Sequence, residues 1–174
     1  MGRILLPGGN ASEVKISLET RKGNSIDNGQ AHELTYLDWF AAGNLPSKYP
    51  NAKFVNQPCP IYNCHGLTFA SRRTQITPDK IQFTKILDED DYARIDKQDA
   101  RTGDIILYLE SGDYSIEHSG IVIAVTQMEM STMNIPVIWS KWGKSHEVVH
   151  NYYDCPYDST NVEFFRLKEW KEKK

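Results

Sequence analysis

The chain has 174 residues, of which 40% are hydrophobic and 25% charged, and its formal net charge is -3. This length and apolar content suit one domain with a globular core. A net acidic chain lacks the concentrated basic face of nucleic-acid-binding proteins, and no run approaches the roughly 20 apolar residues that span a bilayer. We therefore expect neither nucleic acid nor a membrane as a partner.

The amino-terminal residues and the cysteine content bear on the compartment. Residues 1–9 lack the longer apolar core of a secretory signal, so the default expectation is the cytoplasm, with export by another route left open. The three cysteines, Cys59, Cys64 and Cys155, are an odd and sparse set, which favours reduced thiols over a disulfide framework. A zinc site that includes His65 or His150 is an alternative. The spacing fits no familiar zinc motif, so we expect no metal and no other cofactor.

The first third of the chain gives mixed signals. Residues 1–56 are predicted to form an arm of irregular or mixed structure within the same domain as residues 57–174. Within this arm, residues 31–42 are predicted to be helical because Leu34, Leu37, Trp39 and Phe40 give them an apolar side. The arm carries no recognisable catalytic motif.

The most informative stretch is residues 61–70, which reads as the entry into a helix. Pro58 and Pro60 keep the lead-in extended, and Asn63 is a suitable N-cap. Cys64 then falls in the first helical turn, where unpaired backbone N–H groups stabilise a thiolate. This position should lower the pKa of the thiol, so Cys64 is a candidate nucleophile.

Helices precede strands along the rest of the chain. The first helix should run from Cys64 to residue 72 or 73, and a second should begin with Thr77 as N-cap and Pro78 at its first position. After the Gly103-Asp104 turn, alternating and β-branched patterns predict strands at residues 105–109, 118–125, 136–141 and 162–167. The expected class is α+β, with N-terminal helices packed on an antiparallel sheet.

Cysteine catalysis needs a thiolate beside a histidine, and a third polar group that orients the imidazole. His118 heads a predicted strand, and a neighbouring antiparallel strand would bring the Ser140 hydroxyl to the His118 imidazole. The oxyanion formed in acyl transfer would bind the Cys64 backbone N–H and a donor from Tyr62 or Asn63.

These residues resemble a known family. A cysteine that opens a helix, Gly-Asp before a strand, and His-x-Gly-Ile-Val at the start of the next strand are similar to the NlpC-type and CHAP-type cysteine peptidases and amidases of the papain-like fold. The resemblance covers residues 62–143. It implies that residues 57–174 form a papain-like cysteine hydrolase-like domain, with Cys64 as nucleophile, His118 as general base and Ser140 as orienting group.

The chain departs from the family pattern at two positions. Asn63 replaces the usual acidic residue before the cysteine, and Ser140 stands where the family has His, Asn, Gln or Glu, which leaves His146 and His150 as reserve candidates. Near Ser140, Lys141 is a candidate to bind a substrate carboxylate, and Trp142 a candidate groove floor. His65 is interpreted as groove lining or structure.

Together these expectations describe a cysteine-dependent amide hydrolase, a peptidase or amidase that acts through an acyl-enzyme on Cys64. Peptides or peptidoglycan stem peptides are the expected substrates. Two alternatives remain open: an acyltransferase or transglutaminase-like enzyme with the same Cys-His pair, and a non-catalytic binding module on a papain-like frame.

Overall fold

A computed structural model describes residues 14–112, 115–127 and 133–168. The start of the predicted arm and the middle of the connection between the second and third predicted strands lie outside the described residues. The regular elements, in chain order, are β1 (Asn28–Gly29), α1 (Tyr36–Lys48), β2 (Lys53–Phe54), α2 (Cys64–Phe69), β3 (Gln75–Ile76), α3 (Lys80–Glu89), β4 (Tyr92–Ile95), β5 (Ile105–Leu109), β6 (Ile116–Gln127), β7 (Asn134–Lys141), β8 (Glu147–Asn151) and β9 (Val162–Leu167).

The described strands form an antiparallel sheet of seven strands in the order β2-β8-β7-β6-β5-β9-β4, and β1 pairs separately with β3. The protein is thus α+β with an antiparallel sheet, as the sequence predicts. The four predicted strands correspond to β5, β6, β7 and β9. The other strands of this sheet, β2, β4 and β8, were not predicted.

Local capping decides where the helices begin. The Thr35 side chain caps α1 in a capping box with Asp38, so α1 begins five residues later than predicted. Asn63 caps α2 as predicted. The predicted cap of α3 is wrong by two residues, because the Asp79 carboxylate accepts the Gln82 N–H at 2.9 Å.

Helix α2 is shorter than predicted because the chain changes direction directly after it. It ends at Phe69, and Ser71 and Arg72 adopt positive φ angles of 50° and 65°. Two such residues in succession cannot continue a right-handed helix. The turn directs the Arg72 side chain back to the sheet, where its guanidinium meets Glu147 of β8.

The two faces of the sheet carry different layers. Ile106, Val122 and Ile138 lie in the core on one face, and Leu45 and other residues of the α1 region pack against this core. On the other face, Ile105, Leu107 and Phe165 meet Phe69 of α2 and Leu87 of α3. The described arm extends this second layer, since Leu18 and Ile26 pack with Ala70, Ile76 and Phe83.

The Gly-Asp turn enters β5 as the sequence predicts. Gly103 has a φ of 95°, which favours glycine. Asp104 is buried, and its carboxylate accepts two hydrogen bonds from the Arg166 guanidinium, at 2.8 and 2.7 Å. The turn therefore anchors β5 to β9. Among the described residues, no helix is long and apolar enough to cross a bilayer.

Candidate functional site

Asn63 fixes the start of α2. Its side-chain oxygen accepts the Gly66 N–H at 2.9 Å and the Ile76 N–H at 3.2 Å, and its side-chain nitrogen donates to the Ile76 carbonyl at 2.9 Å. Gly66 lets the helix approach the following chain closely, because a Cβ at this position would lie 1.8 Å from the Thr74 carbonyl oxygen. The N-cap and the glycine thus hold Cys64 in a fixed place.

The Cys64 thiol is buried, with only 5% of the residue exposed. The backbone N–H groups of Ser119, His65 and Cys64 itself favour the thiolate and so act to lower its pKa. Burial nevertheless raises the pKa of Cys64 to about 11, because loss of hydration outweighs these N–H groups and the nearby Lys141 ammonium. The helix start thus acts in the predicted direction, but burial outweighs it, and the expected net lowering of the thiol pKa is not found.

His118 is fully buried in β6, opposite Tyr108 of β5. The Tyr157 ring stacks on its imidazole, with 3.7 Å between centroids and 10° between planes. Neither ring nitrogen has a hydrogen-bond partner among the described residues, so the imidazole is not bonded to the Cys64 sulfur. Burial holds the pKa of His118 well below its usual value, and the ring is neutral at pH 7.

The strand pleat sets the relation between His118 and Cys64. The Ser119 hydroxyl bonds His65 and Thr68 of α2, at 2.9 and 3.0 Å, so the preceding side chain, His118, leaves the strand on the opposite face. The electrostatic effects between the two residues act through their neighbours. The Ser119 backbone N–H lowers the pKa of Cys64, and the pKa of Tyr157, whose ring stacks on His118, is raised first by burial and then by a thiolate at Cys64.

Ser140 does not orient His118 in this structure. Strand β7 is the neighbour of β6, as predicted, but the register pairs Ser140 with Gly120. The Ser140 hydroxyl lies 2.8 Å from His150 Nε2, while His150 Nδ1 lies 2.8 Å from the Asn151 carbonyl. Since Nδ1–H donates to this carbonyl, Nε2 accepts the Ser140 proton. The predicted Ser140–His118 hydrogen bond is thus absent.

The reserve candidates for the orienting role are also engaged elsewhere. His150 bonds Ser140, and the His146 ring donates to the Asn56 carbonyl at 2.8 Å. His118 therefore has no orienting partner among the described side chains in this conformation.

Three predicted groove residues lie in the interior. Lys141 is fully buried, and its ammonium donates to the Ser145 carbonyl. Trp142 is 4% exposed and packs edge-on against Tyr49 and Phe54. His65 is 1% exposed and bonds Ser119. The predicted groove roles of Lys141 and Trp142 are therefore wrong, because both side chains pack inside the protein, whereas His65 has the structural role that was one of its two interpretations.

Burial also sets the protonation of two of these groups. It lowers the pKa of Lys141 to about 8 and that of His65 to about 3. His65 is therefore neutral at pH 7. The Lys141 ammonium lies 5.0 Å from the Tyr62 ring centroid and is close enough to Cys64 to favour a thiolate there.

Tyr62 and Asn63 do not offer free side-chain donors for an oxyanion. The Tyr62 hydroxyl donates to the Glu147 carboxylate, and the Asn63 amide donates to the Ile76 carbonyl. Glu147 also binds Arg72, whose Nε lies 2.6 Å from Oε1. This buried cluster was not predicted, because its members are up to 85 residues apart and no local pattern joins them.

Metal ligation has no basis in the described residues, which contain no group of three or more His, Cys, Asp or Glu side chains that could hold an ion. The alternative of a zinc site formed by the cysteines with His65 or His150 is therefore not supported among them. Cys59, Cys64 and Cys155 are free thiols.

Comparisons of the chain with protein-family models, curated proteins and solved structures gave no match.

Proposed function

We propose that the protein is a cysteine-dependent amide hydrolase that forms an acyl-enzyme on Cys64, with His118 as general base. One observation carries this proposal. Helix α2, which begins with Cys64, packs on the strand that bears a buried histidine, and both nitrogens of this histidine lack partners among the described residues. Buried polar atoms without partners are rare in folded proteins, and a catalytic role is one explanation for them.

The reaction begins from a neutral thiol and a neutral imidazole. The His118 imidazole, which leaves β6 on the face opposite α2 in this structure, must first reach the Cys64 thiol. A His118 nitrogen then accepts the Cys64 proton as the sulfur attacks the amide carbonyl, and the carbonyl electron pair moves to oxygen. Backbone N–H groups at the start of α2 are the donors for this oxyanion. The C–N bond then breaks, the amine leaves with the proton from His118, and water hydrolyses the thioester.

The papain-like frame and the substrate class belong to the same proposal. They rest on the helix-start cysteine, the Gly103-Asp104 turn and the His-x-Gly-Ile-Val strand, supported by the observed order of a helix before an antiparallel sheet. Peptides or peptidoglycan stem peptides are the substrates to test first.

The test incubates the protein with synthetic stem peptides and general peptides, and measures new amino groups and the masses of the products. We expect Cys64→Ala and His118→Ala to abolish cleavage, and Cys59→Ser, a half-buried thiol of the same lead-in, to retain it. Cleavage that persists in Cys64→Ala contradicts the proposal.

The same reaction mixtures with hydroxylamine or an alkylamine distinguish hydrolysis from transfer. Both reactions use the same acyl-enzyme and differ only in the acceptor. Mass spectra dominated by the amine adduct rather than the acid assign the protein as an acyltransferase or transglutaminase-like enzyme.

A non-catalytic binding module is the second candidate, favoured by the bond of Ser140 to His150, which leaves His118 without an orienting group. A module of this kind binds stem peptide equally well as wild type and as Cys64→Ala, and cleaves none. Isothermal titration with the peptides decides between binding alone and turnover.

A further inference from the structure

We propose that Tyr157 is a lid over His118, and that the segment 155–160 must swing this ring aside before a substrate reaches the site. This inference rests on the proposed function and concerns its regulation. The fold places His118 and Cys64 at 0% and 5% exposure, so substrate has no direct access to either reacting group in this conformation.

The Tyr157 ring shields the His118 imidazole from solvent on one side. The Tyr157 ring lies parallel to the imidazole at 3.7 Å, so it occupies one whole face of His118. The Tyr108 ring also lies near His118, with 5.2 Å between the ring centroids, but Tyr108 belongs to the central strand β5 and is itself fully buried. Tyr157 is partly exposed and lies in the loop between β8 and β9. Of these two rings, Tyr157 is the one that can move outward.

Within residues 155–160, the side-chain hydrogen bonds that we find are long or lie at the surface. Cys155 is buried in the core, and its thiol makes long contacts to the carbonyls of Tyr152 and Tyr157, at 3.7 and 3.8 Å. Asp158 binds Ser111 and Thr160 at the surface. Loops held by weak or solvent-exposed bonds open at lower free energy than the sheet beneath them.

The closed lid explains why the candidate nucleophile and its candidate base are both uncharged in this conformation. With Tyr157 in place, His118 is dry, and both the thiol and the imidazole are neutral. When the ring moves away, water or substrate reaches the imidazole and lowers the penalty for charging it. The reaction then proceeds only in the open state.

The lid is tested by the reaction of diethyl pyrocarbonate with individual histidines, followed by peptide mapping. The reagent transfers a carbethoxy group to an accessible neutral imidazole nitrogen and releases ethanol and carbon dioxide. We expect Tyr157→Ala to raise the rate at His118 at least tenfold above wild type. Tyr157→Phe, which keeps the ring, should react like wild type.

The controls are internal and matched. Tyr153→Ala removes a ring of the same loop that is 47% exposed and contacts Tyr152, so it should leave the His118 rate unchanged. His65 and His150, which are 1% and 2% exposed, should stay unmodified in every folded variant. Equal His118 rates in Tyr157→Ala and wild type overturn the lid.

Modification of His65 and His150 would reveal that Tyr157→Ala does not fold. In that case a second measurement, on the wild-type protein, tests the lid. The rate at His118 in wild type is measured in urea below the unfolding transition. Opening of one loop exposes little surface, so the rate should be nearly independent of urea. A rate that rises with the urea dependence of global unfolding overturns the lid.

The outcomes separate the lid from the proposed function. Faster His118 modification without any Cys64-dependent cleavage supports the lid and rejects the hydrolase. Cys64-dependent cleavage with unchanged His118 modification supports the hydrolase and rejects the lid.

Discussion

Three neutral histidines make the protein sensitive to mild acid. Burial lowers the pKa of His65 to about 3 and that of His150 to about 4, and holds the pKa of His118 well below its usual value. Above pH 6.5 the folded and unfolded chains are both neutral at these positions. As pH falls below 6.5 the unfolded chain binds protons that the folded chain rejects, so stability falls.

As the pH falls from 6.5 to 5, each of these histidines should lower the free energy of unfolding by up to about 1.4 kcal/mol per pH unit. Urea unfolding at pH 7, 6 and 5 measures this slope. We expect His150→Gln to reduce the slope and His32→Gln, at an exposed position, to preserve it. A stability that is constant from pH 7 to 5 contradicts the burial of neutral imidazoles.

Single residues were predictable where their role is local. Asn63 was identified as an N-cap because a cap bonds an N–H three residues away, within the sequence pattern itself. Lys141 and Trp142 were assigned to a groove because an ammonium can bind a substrate carboxylate and an indole ring can form a groove floor. Their burial depends on Tyr49, Phe54 and Ser145, which fold over them, and no local pattern encodes this packing.

At the scale of elements, a buried ionic cluster joins the end of α2 to β8. Glu147 is fully buried and accepts from Arg72 at 2.6 and 3.2 Å, and also from the Tyr62 hydroxyl. The cluster thus ties the lead-in to α2, the turn after it and an inner strand. A carboxylate in this position stabilises the fold only while its partners are present.

We expect Glu147→Gln to lower the free energy of unfolding by about 1–3 kcal/mol, because it weakens the guanidinium pairing inside the protein. The matched control is Glu163→Gln, since Glu163 pairs at 3.1 Å with Arg94, whose side chain is 67% exposed. This control should change stability by at most about 0.5 kcal/mol. Chemical denaturation measures both, and equal losses in the two variants contradict the structural role of the cluster.

Elements were predicted according to the strength of their local pattern. The continuous apolar run of β5 and the β-branched run of β6 gave strands at nearly the correct bounds. Strand β8 was missed because Glu147 and His150, both buried in the fold, resemble surface residues in the sequence. The start of α3 was misplaced because Thr77 and Asp79 are both good caps, and only the packing selects Asp79.

At the scale of the whole molecule, the sheet brings distant residues together and also closes the site. The α+β class followed from helices before strands, and β6 and β7 are neighbours as expected. The Ser140–His118 contact failed because the register pairs Ser140 with Gly120 and the hydroxyl turns to His150. Tyr157 was not assigned to His118, since the two residues lie 39 positions apart and the loop path between β8 and β9 has no sequence signature.

The central claim is that Cys64 accepts an acyl group with His118 as its base, and the most direct measurement uses p-nitrophenyl acetate as the acyl donor. We expect a burst of about one p-nitrophenolate per molecule and one acetyl group on Cys64, located by peptide mapping. His118→Ala should slow this acetylation by at least about 100-fold, while Cys59→Ser should not. Cys64 acetylated as fast in His118→Ala as in wild type, or not acetylated in wild type at all, contradicts the account.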